Sequence, residues 1–267
     1  MSAITWIASY PKSGNTWTRA LLAQYALDRR IASLEELERE APDLTNLTNA
    51  GQLPSTAGDR PLFIKTHFLP DVSLLGEFAD STAHAIYLVR DPRDVIRSAA
   101  RHLNIDESKY QQFAEQFLAC EGVPDWVLAG WGTWPQSLAA WTSAERVASV
   151  FPRARLLVLR YEDLWADTVS TLRRIVAFLG LNDAGDPERL DRAVSNSTLE
   201  RLRQAEQASE STGLRAFRDP PRHPLIGTGQ RGQRLSGIGE HVEAAYKNLL
   251  AQDGDFARYA RQFGYAD

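Results

Sequence analysis

With 267 residues, 43% of them hydrophobic and 24% charged, the chain can bury a sizeable core and is neither a disordered nor a fibrous polymer. A formal charge of −4 argues against nucleic acid as a partner, because such binding needs a basic surface to displace phosphate counterions. Cys120 is the only cysteine, which excludes an intrachain disulfide and a thiolate metal cluster.

The amino terminus lacks the basic region and long apolar stretch of a leader, and no run of about 18 apolar residues predicts a membrane span, so a cytoplasmic protein is expected. The first predicted element is "ITWIAS", a short, bulky run bounded by Pro11 and Gly14, which reads as a buried strand. "NTWTRALLAQYAL" follows, with Trp17, Leu21, Leu22 and Tyr25 at helical spacing. "YPKSGNTW" joins them as a strand, turn and helix start, with Asn15 or Thr16 as the expected cap. Exposed N–H groups there, together with the side chains of Lys12, Ser13, Asn15 and Thr16, would cradle an anion. The lysine precedes the glycine, unlike the nucleotide phosphate loop G-x-x-x-x-G-K-[ST], and taken alone such a turn is more often a solvated loop.

"PLFIKTH" is a second strand ending at His67, with Lys65 and His67 on one side because alternate residues of a strand share a face. A histidine there can take a proton from a hydroxyl near neutral pH. "HAIYLVRDPRDVIRSAARHL" is a third strand running into a Pro-started helix. Arg90, leaving that strand beside Ser98, is assigned to an anion, and Arg93 and Arg97, four apart, to the exposed helix face. "ARLLVLRYED" is a fourth strand, and "TVSTLRRIVAFLGL" an amphipathic helix stopping at Gly180. This alternation predicts an α/β fold in three layers, α/β/α, with a central, mostly parallel sheet whose ligands gather at the carboxyl ends of the strands.

Two stretches interrupt the rhythm. Residues 122–141 hold four tryptophans among glycines and prolines, which suits a mobile aromatic wall, and residues 211–239, rich in Gly, Pro and Arg, read as a lid. No repeat or linker divides the chain, so residues 1–267 are expected to form one domain.

"YPKSGNTW", "IKTH", "YLVRDPRDVIRS" and "RYEDL", in that order, make the chain resemble the cytosolic-type sulfotransferases that use 3′-phosphoadenosine 5′-phosphosulfate, and most closely their compact bacterial natural-product branch. The resemblance implies a P-loop-like core in which Lys12, Ser13, Gly14, Asn15 and Thr16 bind the 5′-phosphosulfate and Trp17 stacks on adenine. It assigns Arg90 and Ser98 to the 3′-phosphate, Tyr161 and Ser197 to the adenine side, and Arg231 and Gly232 to a late donor contact. Gln230 stands where the family has arginine and the tryptophan that usually follows is absent, so Arg231 or Arg234 is left to hold the 3′-phosphate.

The implied reaction is in-line sulfuryl transfer without a metal: His67 as general base, Lys12 on the bridging oxygen, Lys65 on the transferring group and Ser98 beside them. The implied acceptor is a small molecule bearing a hydroxyl, expected to be phenolic, with a glycopeptide-like natural product in antibiotic biosynthesis as the family-level expectation. Trp126, Trp131 and Trp134 would line its site, with Trp141 in the core, and Glu206 would be either a second base or a solvated helix carboxylate. The dimerisation motif of many animal members is not recognisable, which leaves a homodimer open. The alternative is a P-loop-like nucleotide or small-molecule kinase, which predicts ATP and magnesium.

Overall fold

Strands apolar on both faces must be covered on both, and this requirement organises the chain. The computed structural model describes residues 3–54, 61–181, 186–210, 226–227, 229, 231–232 and 235–266. Four parallel strands, β1 (Ile4–Ser9), β2 (Leu62–Thr66), β3 (Thr82–Val89) and β4 (Arg155–Arg160), lie in the order β2-β1-β3-β4. The α/β fold with a parallel sheet is the one the sequence predicts.

Side chains of β1 and β3 alternate between two apolar layers, as the period of two demands. Trp6, Ala8, Tyr87 and Val89 pack with Trp134, Trp141, Phe151 and Phe256. Ile7, Ile86 and Leu88 pack with Leu21, Leu22, Ile175 and Val176. From β1 the chain passes to β2 on one side, then crosses to β3 on the other. The crevice at this reversal lies beyond the carboxyl ends of β1 and β3, which places the turns starting at Tyr10 and Arg90 side by side.

The helix Asn15–Leu27 follows β1, and the helix Pro92–His102 follows β3 with Asp91 as its cap. The helix Thr168–Leu179 stops at Gly180, where φ is 62°, a left-handed value that glycine adopts without strain. No described helix is long and apolar enough to cross a membrane.

The tryptophan-rich stretch differs from the expected mobile wall. It forms the helices Pro124–Leu128 and Trp134–Trp141, the second opened by a reciprocal Thr133–Gln136 cap. Its prolines start helices, and Gly130 and Gly132 take positive φ values of 82° and 70° between them, so punctuation that suggested mobility instead marks a tight corner. Trp134 and Trp141 are fully enclosed, Trp134 with its ring 4.9 Å from that of Phe256. Most of the expected lid, including Gln230 and Arg234, lies outside the described residues; within it Leu235–Gly237 forms a single 3-10 turn.

Replacing Trp134 by alanine should therefore destabilise the fold by about 3–5 kcal/mol, the usual loss for a buried aromatic. Urea denaturation measures this, and a loss below roughly 1 kcal/mol would contradict the core assignment.

Candidate active site

β1 delivers the chain to a turn with two left-handed residues, Lys12 at φ 69° and Gly14 at φ 97°. Gly14 is the residue before the helix Asn15–Leu27, and no side chain caps that helix. The sequence expectation that Asn15 or Thr16 would cap it is thus corrected. Asn15 turns inward, its Nδ2 donating to the Ile7 carbonyl at 2.8 Å and to Ser9 Oγ at 3.2 Å, which lashes the turn to β1. First-turn N–H groups have no intrahelical partner, so the uncapped end presents them and their positive dipole to the crevice. Ser13 Oγ is fully buried and has no hydrogen-bond partner among the described residues, and a hydroxyl so placed suits an anionic oxygen. Asn15 Oδ1 also lacks one, but its lone pairs suit a donor instead.

Three turns meet on one ring. Arg90, at the end of β3, donates from Nη1 to the Lys12 carbonyl at 2.8 Å, and its guanidinium lies 4.3 Å from the centre of the Tyr161 ring. Tyr161 opens the helix Tyr161–Ala166 after β4 and meets the edge of Trp17 with ring centres 5.9 Å apart. A Cβ on Gly14 would fall 2.4 Å from Tyr161 Cδ2, so the ring occupies the space of the missing side chain. Glu162 accepts from the Asp91 N–H at 3.1 Å and from the Tyr265 hydroxyl at 2.8 Å, tying β4 to the cap of the helix that carries half-buried Ser98. Arg93 is not the exposed residue expected; it grips Asp91 at 2.8 Å, while the Arg97 guanidinium packs against Gly237.

His67 follows β2 and is buried. Its Nδ1 lies 2.7 Å from the Ser9 carbonyl, which can only accept, so Nδ1 carries the ring proton and Nε2 is the open acceptor. Burial, then the charge of Lys65, push the His67 pKa down to about 3, with Lys12 adding to the effect and Asp43 and the Ser9 carbonyl opposing it. The imidazole is therefore neutral at physiological pH. Lys65 is ion-paired with the Asp43 carboxylate. Burial pushes Asp43 up, but Lys65, Arg19 and His67 outweigh it and hold the carboxyl down at about 2. Trp131 lies 5.3 Å from the His67 ring and 6.1 Å from Trp126, which is 5.6 Å from Tyr10, so an aromatic row runs from the turn to the histidine.

Other predicted residues lie apart. Trp134 is in the core and lines no crevice. Ser197 is fully buried and its Oγ accepts from Gln24 Nε2 at 2.7 Å, so it offers no surface to a ligand. Glu206 is buried and accepts from the Ile226 N–H at 3.1 Å, an anchor and not a solvated carboxylate. Gly232 donates its N–H to Asp94 at 2.9 Å and Arg231 stacks 3.7 Å over Trp165, which docks this piece of the late segment near the β3 helix. Sequence reading missed Ser9, Asp43 and Glu162: Ser9 and Asp43 lie outside the motifs, with only the cap-like "PDLT" around Asp43 as a signal, and Glu162, inside "RYEDL", had no role assigned from the sequence.

Two outcomes follow from this geometry. Gly14→Ala, forced into the Tyr161 ring at a left-handed φ, should destabilise the fold by roughly 1–3 kcal/mol of strain; an unchanged urea unfolding midpoint would contradict it. Because the folded His67 stays neutral to about pH 3 while the unfolded histidine takes a proton near pH 6.5, stability is full above 6.5 and falls as pH drops toward 3. His67→Gln should therefore reduce the slope of unfolding free energy against pH, between about pH 6 and 5, by up to about 1.4 kcal/mol per unit; an identical slope would contradict the buried neutral state.

The sulfotransferase domain family matches residues 3–224. Mouse sulfotransferase 2A6 is 30% identical over 213 residues, covering 77% of this chain and 68% of its own length. The luciferin sulfotransferase of Photinus pyralis is 28% identical over 213 residues, covering 69% of this chain and 53% of its own length. Among solved structures, mouse sulfotransferase SULT7A1 complexed with PAP superposes with a TM-score of 0.61 at 18% identity, covering 99% of this chain and 90% of its own. Retinol dehydratase in complex with androsterone and inactive cofactor PAP gives 0.58 at 19% identity, covering 94% and 81%. The fold is thus that of these proteins, and the sequence match over most of the chain decides the family: this protein belongs to the sulfotransferase family and is a sulfotransferase.

Proposed function

We propose that this sulfotransferase takes 3′-phosphoadenosine 5′-phosphosulfate as donor and moves its sulfuryl group to a hydroxyl, phenolic in our reading, of a small-molecule acceptor. The observation that carries this is the neutral His67, its Nε2 open, beside an uncapped anion turn clamped by Arg90. PAP bound to two proteins of the same fold supports the donor. The kinase alternative is not favoured, since the lysine precedes the glycine and the relatives are named sulfotransferases.

The donor supplies the sulfuryl group and a phosphate that can leave. Lys12 through Thr16 would hold its 5′ end, with Ser13 Oγ giving its proton to an anionic oxygen, and Trp17 and Tyr161 would flank the adenine. Arg90, Ser98 and, from the late segment, Arg231 with Gly232 would recognise the 3′-phosphate. His67 Nε2 takes the acceptor proton while Nδ1 stays bound to Ser9. Lys12 and Lys65 stabilise charge that grows during transfer, which lowers the barrier more than it strengthens the ground state. An anion between the two lysines offsets the charges that depress His67, so the base strengthens when its reaction partner is in place.

Trp131 and Trp126 would form the acceptor wall, and the Trp131 indole N–H, buried without a partner among the described residues, is a donor for a polar acceptor atom. Relatives named for a hydroxysteroid and for luciferin support a hydroxylated ring compound. A natural product of glycopeptide type, a cytoplasmic setting and one functional domain across residues 1–267 complete the reading.

Assay of labelled donor against phenols, sterols, sugars and polycyclic natural products tests it. The parent should sulfate phenolic compounds, and His67→Ala should lose about 10²–10⁴-fold in transfer with PAP affinity near normal. Full activity in His67→Ala would remove the base, and no transfer to any hydroxyl would overturn the function.

A further inference from the structure

We propose that Asp43 is a positioning residue for the transfer reaction, fixing the Lys65 ammonium beside His67 from the open edge of the sheet. The inference rests on the reading above, in which Lys65 faces the transferring group.

Asp43 meets Lys65 of β2 in an isolated parallel bridge, with the Lys65 N–H donating to the Pro42 carbonyl at 2.8 Å and the two side chains joined as an ion pair. Their side chains are only 10% and 14% exposed. A pair so enclosed gains little net stability, since desolvation cancels most of the attraction, so fold stability is a weak explanation for it.

Asp43 is itself immobilised. Its Oδ1 accepts from the Thr45 N–H at 3.0 Å, and its own N–H donates to Glu38 Oε1 at 2.7 Å. Glu38 Oε2 accepts from Arg19 Nη2 at 2.8 Å, and Arg19 Nε donates to the Ala41 carbonyl at 2.7 Å. Arg19 belongs to the helix whose first turn closes the anion loop, so a continuous, partly buried network joins that helix to Lys65.

A lysine carries its charge on a flexible four-carbon stem, and anchoring one of its three donors orders the ammonium before the reaction while leaving two for an anion. Preorganised charge of this kind acts on the transition state without reorganisation. Asp43 also counters the lysine charges around His67, which favours proton uptake there.

Asp43→Asn keeps the size and the acceptor for Thr45 N–H but removes the charge. Expected is a fall in kcat of about 10- to 100-fold with PAP affinity within about threefold of the parent. Asp43→Glu should recover part of that kcat, and in a Lys65→Met background Asp43→Asn should cost nothing more. Retention of kcat within about twofold would overturn the inference, as would additive losses in the double variant. A parallel fall in kcat, PAP affinity and unfolding midpoint would mark Asp43 as structural only and overturn it too. The parent separates the readings: if it transfers and Asp43→Asn transfers equally, the role of Asp43 fails and the function stands.

Discussion

The Tyr161 ring fills the space that a side chain on Gly14 would need, and the geometry of the first turn depends on that contact. A turn that exposes first-turn N–H groups must pass through left-handed backbone at Lys12 and Gly14, conformations that relax unless something holds them. Arg90 supplies a second hold, binding the Lys12 carbonyl and stacking on the same ring. Elements that start at Gly14, Arg90 and Tyr161 are thereby assembled into one anion-facing surface, although some 150 residues of chain separate the first from the last.

Beside this surface the electrostatics divide labour. Arg90 and the helix end carry fixed positive charge, while His67 is kept neutral by burial and by neighbouring lysines. Its carbonyl partner selects the tautomer that leaves Nε2 open, so orientation and protonation state are set together. The aromatic row from Tyr10 to Trp131 walls the histidine, and a wall of that kind excludes water from the place where an acceptor hydroxyl would lose its proton.

The four strands, the helix Asn15–Leu27 and the stop at Gly180 were legible because hydrophobic period and local punctuation decide them. The motif residues Lys12 to Trp17, His67, Arg90 and Tyr161 were legible as a set because they all sit at strand ends, which a parallel sheet brings to one edge. Asn15 as a strand tie, Trp134 as a core plug and Ser197 as the partner of Gln24 were not, because each depends on which way a side chain turns once packed. The roles of Asp43 and of Glu162, although the latter sits within "RYEDL", could not be read for a related reason: their partners, Lys65 and the Asp91 N–H, are 22 and 71 residues away.

In the proposed reading, the Lys12–Trp17 turn and the Arg90 side of the crevice together would form a site for a nucleotide bearing a 3′-phosphate. Calorimetric titration with 3′-phosphoadenosine 5′-phosphate and with ADP, each with and without magnesium, tests it most directly. The 3′-phosphorylated nucleotide should bind more tightly, by about tenfold or more, with no requirement for metal, since a charged hydrogen bond is worth roughly 1.5–3 kcal/mol. Equal affinity for the two, or a magnesium-dependent preference for ADP, would contradict it.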